Sequence, residues 1–277
     1  MNKIVFAHTM AAVEKGQEKE AEFITSYKVG ERLYVRNYFD NSIANYLQPT
    51  GMDLEKSLWF QYFIYLDGVL LDTINTESMS ENNQKYNWTT FRDVIATSDN
   101  SESNRYVSAR AFDGFLERNL DKLLTGKHTL KLELVPNNYM TKTFLPPVAV
   151  GEISVEGPAD LLNSGYCFNK KTMSNPAVST ELLKTANKGN KSNGVKVTKV
   201  LLLEDDWREI RGQATGAVMR KEIEAVNIGT EENGKKCYYQ YVIYAKTLYP
   251  AKGEDPNYVK SLERGQSMPC SCMNVIK

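Results

Sequence analysis

The stretch Ser57–Asn75, SLWFQYFIYLDGVLLDTIN, constrains the chain more than any other. Asp67-Gly68 accepts the positive φ angles of a tight type I′ turn, so the stretch reads as two antiparallel strands. Pairing Leu66 with Val69 sets Ile64 opposite Leu71 and Tyr62 opposite Thr73. One face then carries Leu58, Phe60, Tyr62, Ile64, Leu66, Val69 and Leu71, which is a core face. The opposite face of the first strand, Trp59, Gln61, Phe63 and Tyr65, is also largely aromatic, so this strand belongs near the middle of a sheet.

Strand patterns continue on both sides. In KVGERLYVRNYF, Val29, Leu33, Val35 and Phe39 share one face and Arg32, Tyr34, Arg36 and Tyr38 the other. That Arg/Tyr face suits polar packing in solvent or an interaction surface. FRDVIAT and RYVSARAF read as further strands around the loop SDNSESN, in which Asp99, Ser101 and Ser103 fill three calcium-loop positions. Asn104 and Arg110 then stand where such a loop needs Gly and Glu. Asp113–Gly126 reads as a helix with Leu116, Leu120, Leu123 and Leu124 as its stripe. HTLKLELVP and PPVAVGEISVEGP close a set of seven or eight strands. The expectation for residues 1–157 is therefore an antiparallel β-sandwich, immunoglobulin-like or jelly-roll-like.

Residues 158–174 are rich in Gly, Asn and Ser and read as a linker. In 175–277, Asn175-Pro176 opens a helix with Val178, Leu182, Leu183 and Ala186 on its buried side. Three strand patterns and a tail follow, with Asn233-Gly234 as a hairpin signal. This order of one helix and then an antiparallel meander resembles cystatin-like or NTF2-like folds in architecture, without a shared motif. The whole is all-β plus α+β.

The chemistry is sparse. No Gly-rich phosphate loop and no nucleophile elbow is present, and the two histidines, His8 and His128, end strands of the first domain. The 34 Lys+Arg balance 34 Asp+Glu, which leaves no field to gather nucleic acid, and no apolar run reaches the roughly 20 residues of a membrane-spanning helix. Glu204, Asp206 and Trp207 read as a polar bulge before a core anchor. Trp207, Tyr239 and Tyr241 are the ligand-binding candidates if the second domain opens to a pocket.

Cys237 with Cys270 or Cys272 is the expected disulfide, Cys167 lies in the linker, and the C-x-C spacing speaks against zinc. The resulting expectation is a non-enzymatic extracytoplasmic binding or structural protein, read as a mature chain, with another protein or a surface glycan as partner. No cofactor or metal is called for. The alternatives are a small-ligand carrier or enzyme using the second domain, and a cytoplasmic scaffold.

Overall fold

The computed structural model describes residues 2–42, 45, 58–76, 88–97, 105–138, 141, 143–189, 195–231, 234 and 236–276. The chain divides into two compact units, Met1–Ala159 and Asp160–Lys277. Both are built mainly from strands, each with its own sheet.

The first unit contains β1 (Lys3–Ala7), β2 (Ser26–Lys28), β3 (Leu33–Tyr38), β4 (Leu58–Leu66), β5 (Val69–Asn75), β6 (Thr90–Ala96), β7 (His128–Asn138), β8 (Thr143–Phe144) and β9 (Ala149–Glu156). They form one nine-stranded sheet in the order β5-β4-β7-β9-β1-β3-β6, with β2 beside β9 and β8 beside β7. The expected antiparallel pattern gives way at β9, with which β1 and β2 run parallel. Long connections separate these strands in sequence, and only such crossovers permit parallel pairing.

A helix, α1 (Val107–Leu123), supplies the second layer. It begins where RYVSARAF promised a strand. Ser108, Ala109, Phe112, Phe115, Leu116, Leu120 and Leu123 are all buried, and their spacing is one helical stripe running through the expected boundary at Asp113. The helix touches β5 and β6, the two ends of the strand order, so the sheet curls around it.

The hairpin forms as the turn chemistry requires, with Asp67 at φ 51° and Gly68 at φ 79° and Leu66 paired with Val69. Its register then shifts: Tyr65 pairs with Leu70 but Ile64 with Asp72, so Leu71 is the extra residue of a bulge. Phe60, Tyr62, Ile64 and Leu66 are buried as expected, whereas Val69 and Leu71 are exposed. Strand β5 ends the sheet order, which leaves Val69 uncovered beside the turn, and the bulge displaces the alternation that would have turned Leu71 inward.

The second unit contains α2 (Pro176–Gly189), β10 (Lys196–Leu202), β11 (Arg208–Arg211), β12 (Val218–Glu231), β13 (Lys236–Thr247), β14 (Asn257–Leu262), β15 (Gln266–Met268) and α3 (Cys272–Val275). Its six-stranded antiparallel sheet runs β10-β12-β13-β14, with β11 beside β12 and β15 beside β13. Leu182 and Ala186 of α2 meet Val197, Val200, Leu202, Ile223, Ala225, Val242 and Tyr244 on one face. Asn187 fixes the helix end: its Nδ2 donates to Val197 O at 2.9 Å and its Oδ1 accepts from Val197 N at 3.1 Å.

The other face of this sheet is covered by chain that has little regular structure of its own. Cys167 and Phe168, from the expected linker, pack with Met268, Cys272 and Ile276 of the tail over Leu201, Val226, Ile228 and Cys237. Two disulfides, Cys167–Cys272 and Cys237–Cys270, cross-link this cover to itself and to β13. Small irregular layers bury too little apolar surface to hold themselves, and the covalent links offset that deficit.

Candidate functional site

The two aromatic candidates on β13 sit at the rim of the disulfide-linked cover. Tyr239 and Tyr241 meet edge-to-face at 6.1 Å between ring centroids, and Phe168 lies 5.6 Å from the first ring and 6.2 Å from the second. The Tyr239 hydroxyl donates to Gln266 Oε1, and Lys170 Nζ stands 4.6 Å from the Tyr241 ring centroid. Hydrogen bonding to Tyr241 comes first among the causes that raise the Lys170 ammonium above its ordinary range. Trp207 is not with them, because it packs against the α2 layer on the opposite face of the sheet.

Beyond the cover, Tyr241 borders a cavity of about 150 Å³, also lined by Leu203, Glu224, Ile243, Ser261 and Glu263. Strand pairing sets this arrangement. Glu224, Ile243 and Ser261 are consecutive partners across β12, β13 and β14, forming one row. The Glu263 amide donates to Tyr241 O at 3.0 Å, and Gln240 Nε2 donates to Glu263 O at 2.7 Å. On the far side the Glu224 amide donates to Glu204 Oε2 at 2.9 Å, and the Leu203 amide to Glu224 O at the same distance. Period two placed Tyr239 and Tyr241 on one face. Nothing local to the sequence pointed to Glu224, Ser261 or Glu263, since a row across three strands exists only once the register is known.

Next to the cavity the same face carries an ion cluster. Glu222, buried, receives Arg220 Nε at 2.6 Å and Lys260 Nζ at 2.7 Å, with Arg208 Nη2 at 3.8 Å. Burial pushes its carboxyl up, and the hydrogen bonds from Lys260 and Arg220 more than offset this, so its net shift is downward. Arg208 also reaches Glu204 at 3.6 Å and Glu224 at 3.8 Å. Glu204 thus serves as a strand clamp, and the neighbouring Asp206 turns back to accept the Trp207 amide at 2.7 Å.

In the first unit, the four residues of the Arg/Tyr face are not gathered on an open surface. Strand β3 lies between β1 and β6, and Tyr34 and Arg36 are buried. Arg36 donates through Nη1 to Val13 O and sits 3.3 Å from Glu18 Oε1, beneath the 3₁₀ turn Ala11–Val13. Burial lowers its guanidinium against the opposing pull of Glu18. Tyr38 is half-buried with Lys3 Nζ 5.5 Å from its ring centroid, and Arg32 is exposed. The calcium-loop positions Asp99, Ser101, Ser103 and Asn104 lie outside the described residues. Among the described residues no group of three or more His, Cys, Asp or Glu is placed to hold a metal.

The histidines serve local structure. His8 Nδ1 is 2.8 Å from Arg32 O. His128 stands between Asp67 Oδ2, 2.8 Å from its Nδ1, and Thr125 Oγ1, 3.2 Å from its Nε2. This has the outline of a hydroxyl–imidazole–carboxylate relay. The Thr125 hydroxyl, however, donates to Lys122 O at 2.8 Å, which commits its proton to closing the end of α1.

Comparison with known proteins finds no matching family model, no matching curated protein and no matching solved structure.

Proposed function

We propose that this chain is a non-enzymatic extracytoplasmic binding protein that engages its ligand through the second unit. The observation that carries the reading is the complete pairing of its cysteines: both disulfides lie in the cover layer, where an oxidising compartment would complete the fold. Its partner is a glycan or another protein. The cavity beside Tyr241 supports a binding role within this reading, and it also favours the carrier alternative, in which a small polar ligand is held there. The finer architectural likenesses belong to the same proposal. The order of helix and then meander, with α2 across one sheet face, supports a cystatin-like or NTF2-like second unit.

The test is the thiol count of protein taken from its native source, denatured and alkylated without reductant, read as intact mass. No alkylation is the expected result. Four alkylated cysteines would move the protein to a reducing compartment and overturn the proposal.

A further inference from the structure

Building on that reading, we propose that the cavity at Tyr241 is a subsite for a single sugar ring. A pyranose presents an apolar C–H face and a rim of hydroxyl donors. The cavity offers the matching surfaces: the Tyr241 ring with Leu203 and Ile243 as apolar wall, and Glu224, Glu263 and Ser261 as acceptors. Its volume of about 150 Å³ is about half the ~300 Å³ at which drug-sized pockets begin. One ring at the end or side of a chain fits that scale.

Charge selects against the other ligands this lining suggests. Two carboxylates repel an anion such as a phosphate. A cation finds Glu224 already answered by Arg208 Nη2 at 3.8 Å, and meets a like charge in Lys170 Nζ, 4.6 Å from the Tyr241 ring centroid. A neutral polyol competes with neither cation. The site is also ordered before binding. The backbones of Glu224, Ile243 and Ser261 are held in one row by strand pairing, and that of Glu263 by the hydrogen bond its amide donates to Tyr241 O. Little backbone freedom is left to lose, which matters most for a ligand with few contacts.

The experiment uses the intact disulfide-bonded chain with methyl α- and β-hexopyranosides of the gluco, galacto and manno series, and tetramethylammonium chloride as the cation probe. Saturation-transfer difference NMR locates the contact and titration calorimetry measures it. The expected result is transfer to the ring C–H protons of at least one pyranoside, with Kd on the order of 1 mM. Tyr241→Ala should weaken it roughly tenfold, and Glu263→Gln, at an exposed position that leaves packing untouched, roughly threefold.

Circular dichroism and unreactive thiols confirm that each variant folds. Should Tyr241→Ala fail that check, Glu263→Gln and Glu224→Gln carry the test. Three results overturn the subsite: no pyranoside binds, folded variants bind as wild type does, or tetramethylammonium binds more tightly with the same residue dependence. The two proposals fail separately. A disulfide-bonded protein that ignores every pyranoside loses the subsite alone, whereas free thiols in native-source protein remove the exported reading whatever the sugars do.

Discussion

At Gly229 the backbone of β12 runs so close to β10 that no side chain fits. A Cβ there would collide with Lys196 O and lie 2.9 Å from the Tyr238 hydroxyl and 3.0 Å from Val197 Cα. Two of the three obstacles are backbone, so they yield only by moving a strand. Gly229→Ala is expected to lower unfolding free energy by about 1–3 kcal/mol, measured by urea titration. Glu222 poses the reverse problem, a charge that the fold tolerates only because cations surround it. Replacing it by Ala leaves Arg220 and Lys260 facing each other, though both are exposed enough to recover some hydration. A loss of about 3 kcal/mol is expected in the same assay, at the low end for breaking a buried ion pair.

Among elements, the joint between the β4–β5 hairpin and the end of α1 depends on one carboxylate. Asp67 accepts from His128, from the Thr129 amide at 3.0 Å and from Lys122 at 3.0 Å, and these contacts, His128 foremost, hold its carboxyl well below the usual range. A carboxyl that ionises more readily folded than unfolded stabilises fully above its unfolded pKa, near ~4, and loses that contribution as pH falls toward its folded value. Asp67→Asn should therefore lower stability at neutral pH and flatten the acid side of the stability curve below about pH 4, read as urea midpoints against pH.

The hairpin itself was legible because its information is local: Asp-Gly sets the turn and the turn sets Leu66 against Val69. The Pro176 helix was legible for the same reason, through its cap and stripe. What escaped was non-local. Leu71 enters a bulge and RYVSARAF bends into α1, whose stripe counts Ser108 and Phe112 among its buried members. Arg36 looked like a surface residue because nothing near it in sequence announces that Val13 and Glu18 will cover it. The same holds for the cavity: Tyr241 was visible as one strand's periodicity, its acidic neighbours only as the meeting of three.

At the scale of the molecule, the cover over the second sheet turns a stretch that reads as a linker into half of a core. Cys167 and Phe168 are buried although the stretch around them, apart from Tyr166, is Asn, Ser, Gly and Lys, a composition that by itself signals loop. The link from Cys167 to Cys272 spans 105 positions and encloses α2 and every strand of the unit. In mechanical terms it is a bypass. A pull applied at Asp160 and Ile276 passes through the sulfur–sulfur bond, and the roughly 350 Å of contour folded between the two cysteines carries no tension. Stretched in an optical trap by those two points, the oxidised unit should yield almost no extension, and after reductant it should release that hidden length. A protein built this way can be tethered and tugged while its sheet, and the cavity upon it, keep their shape.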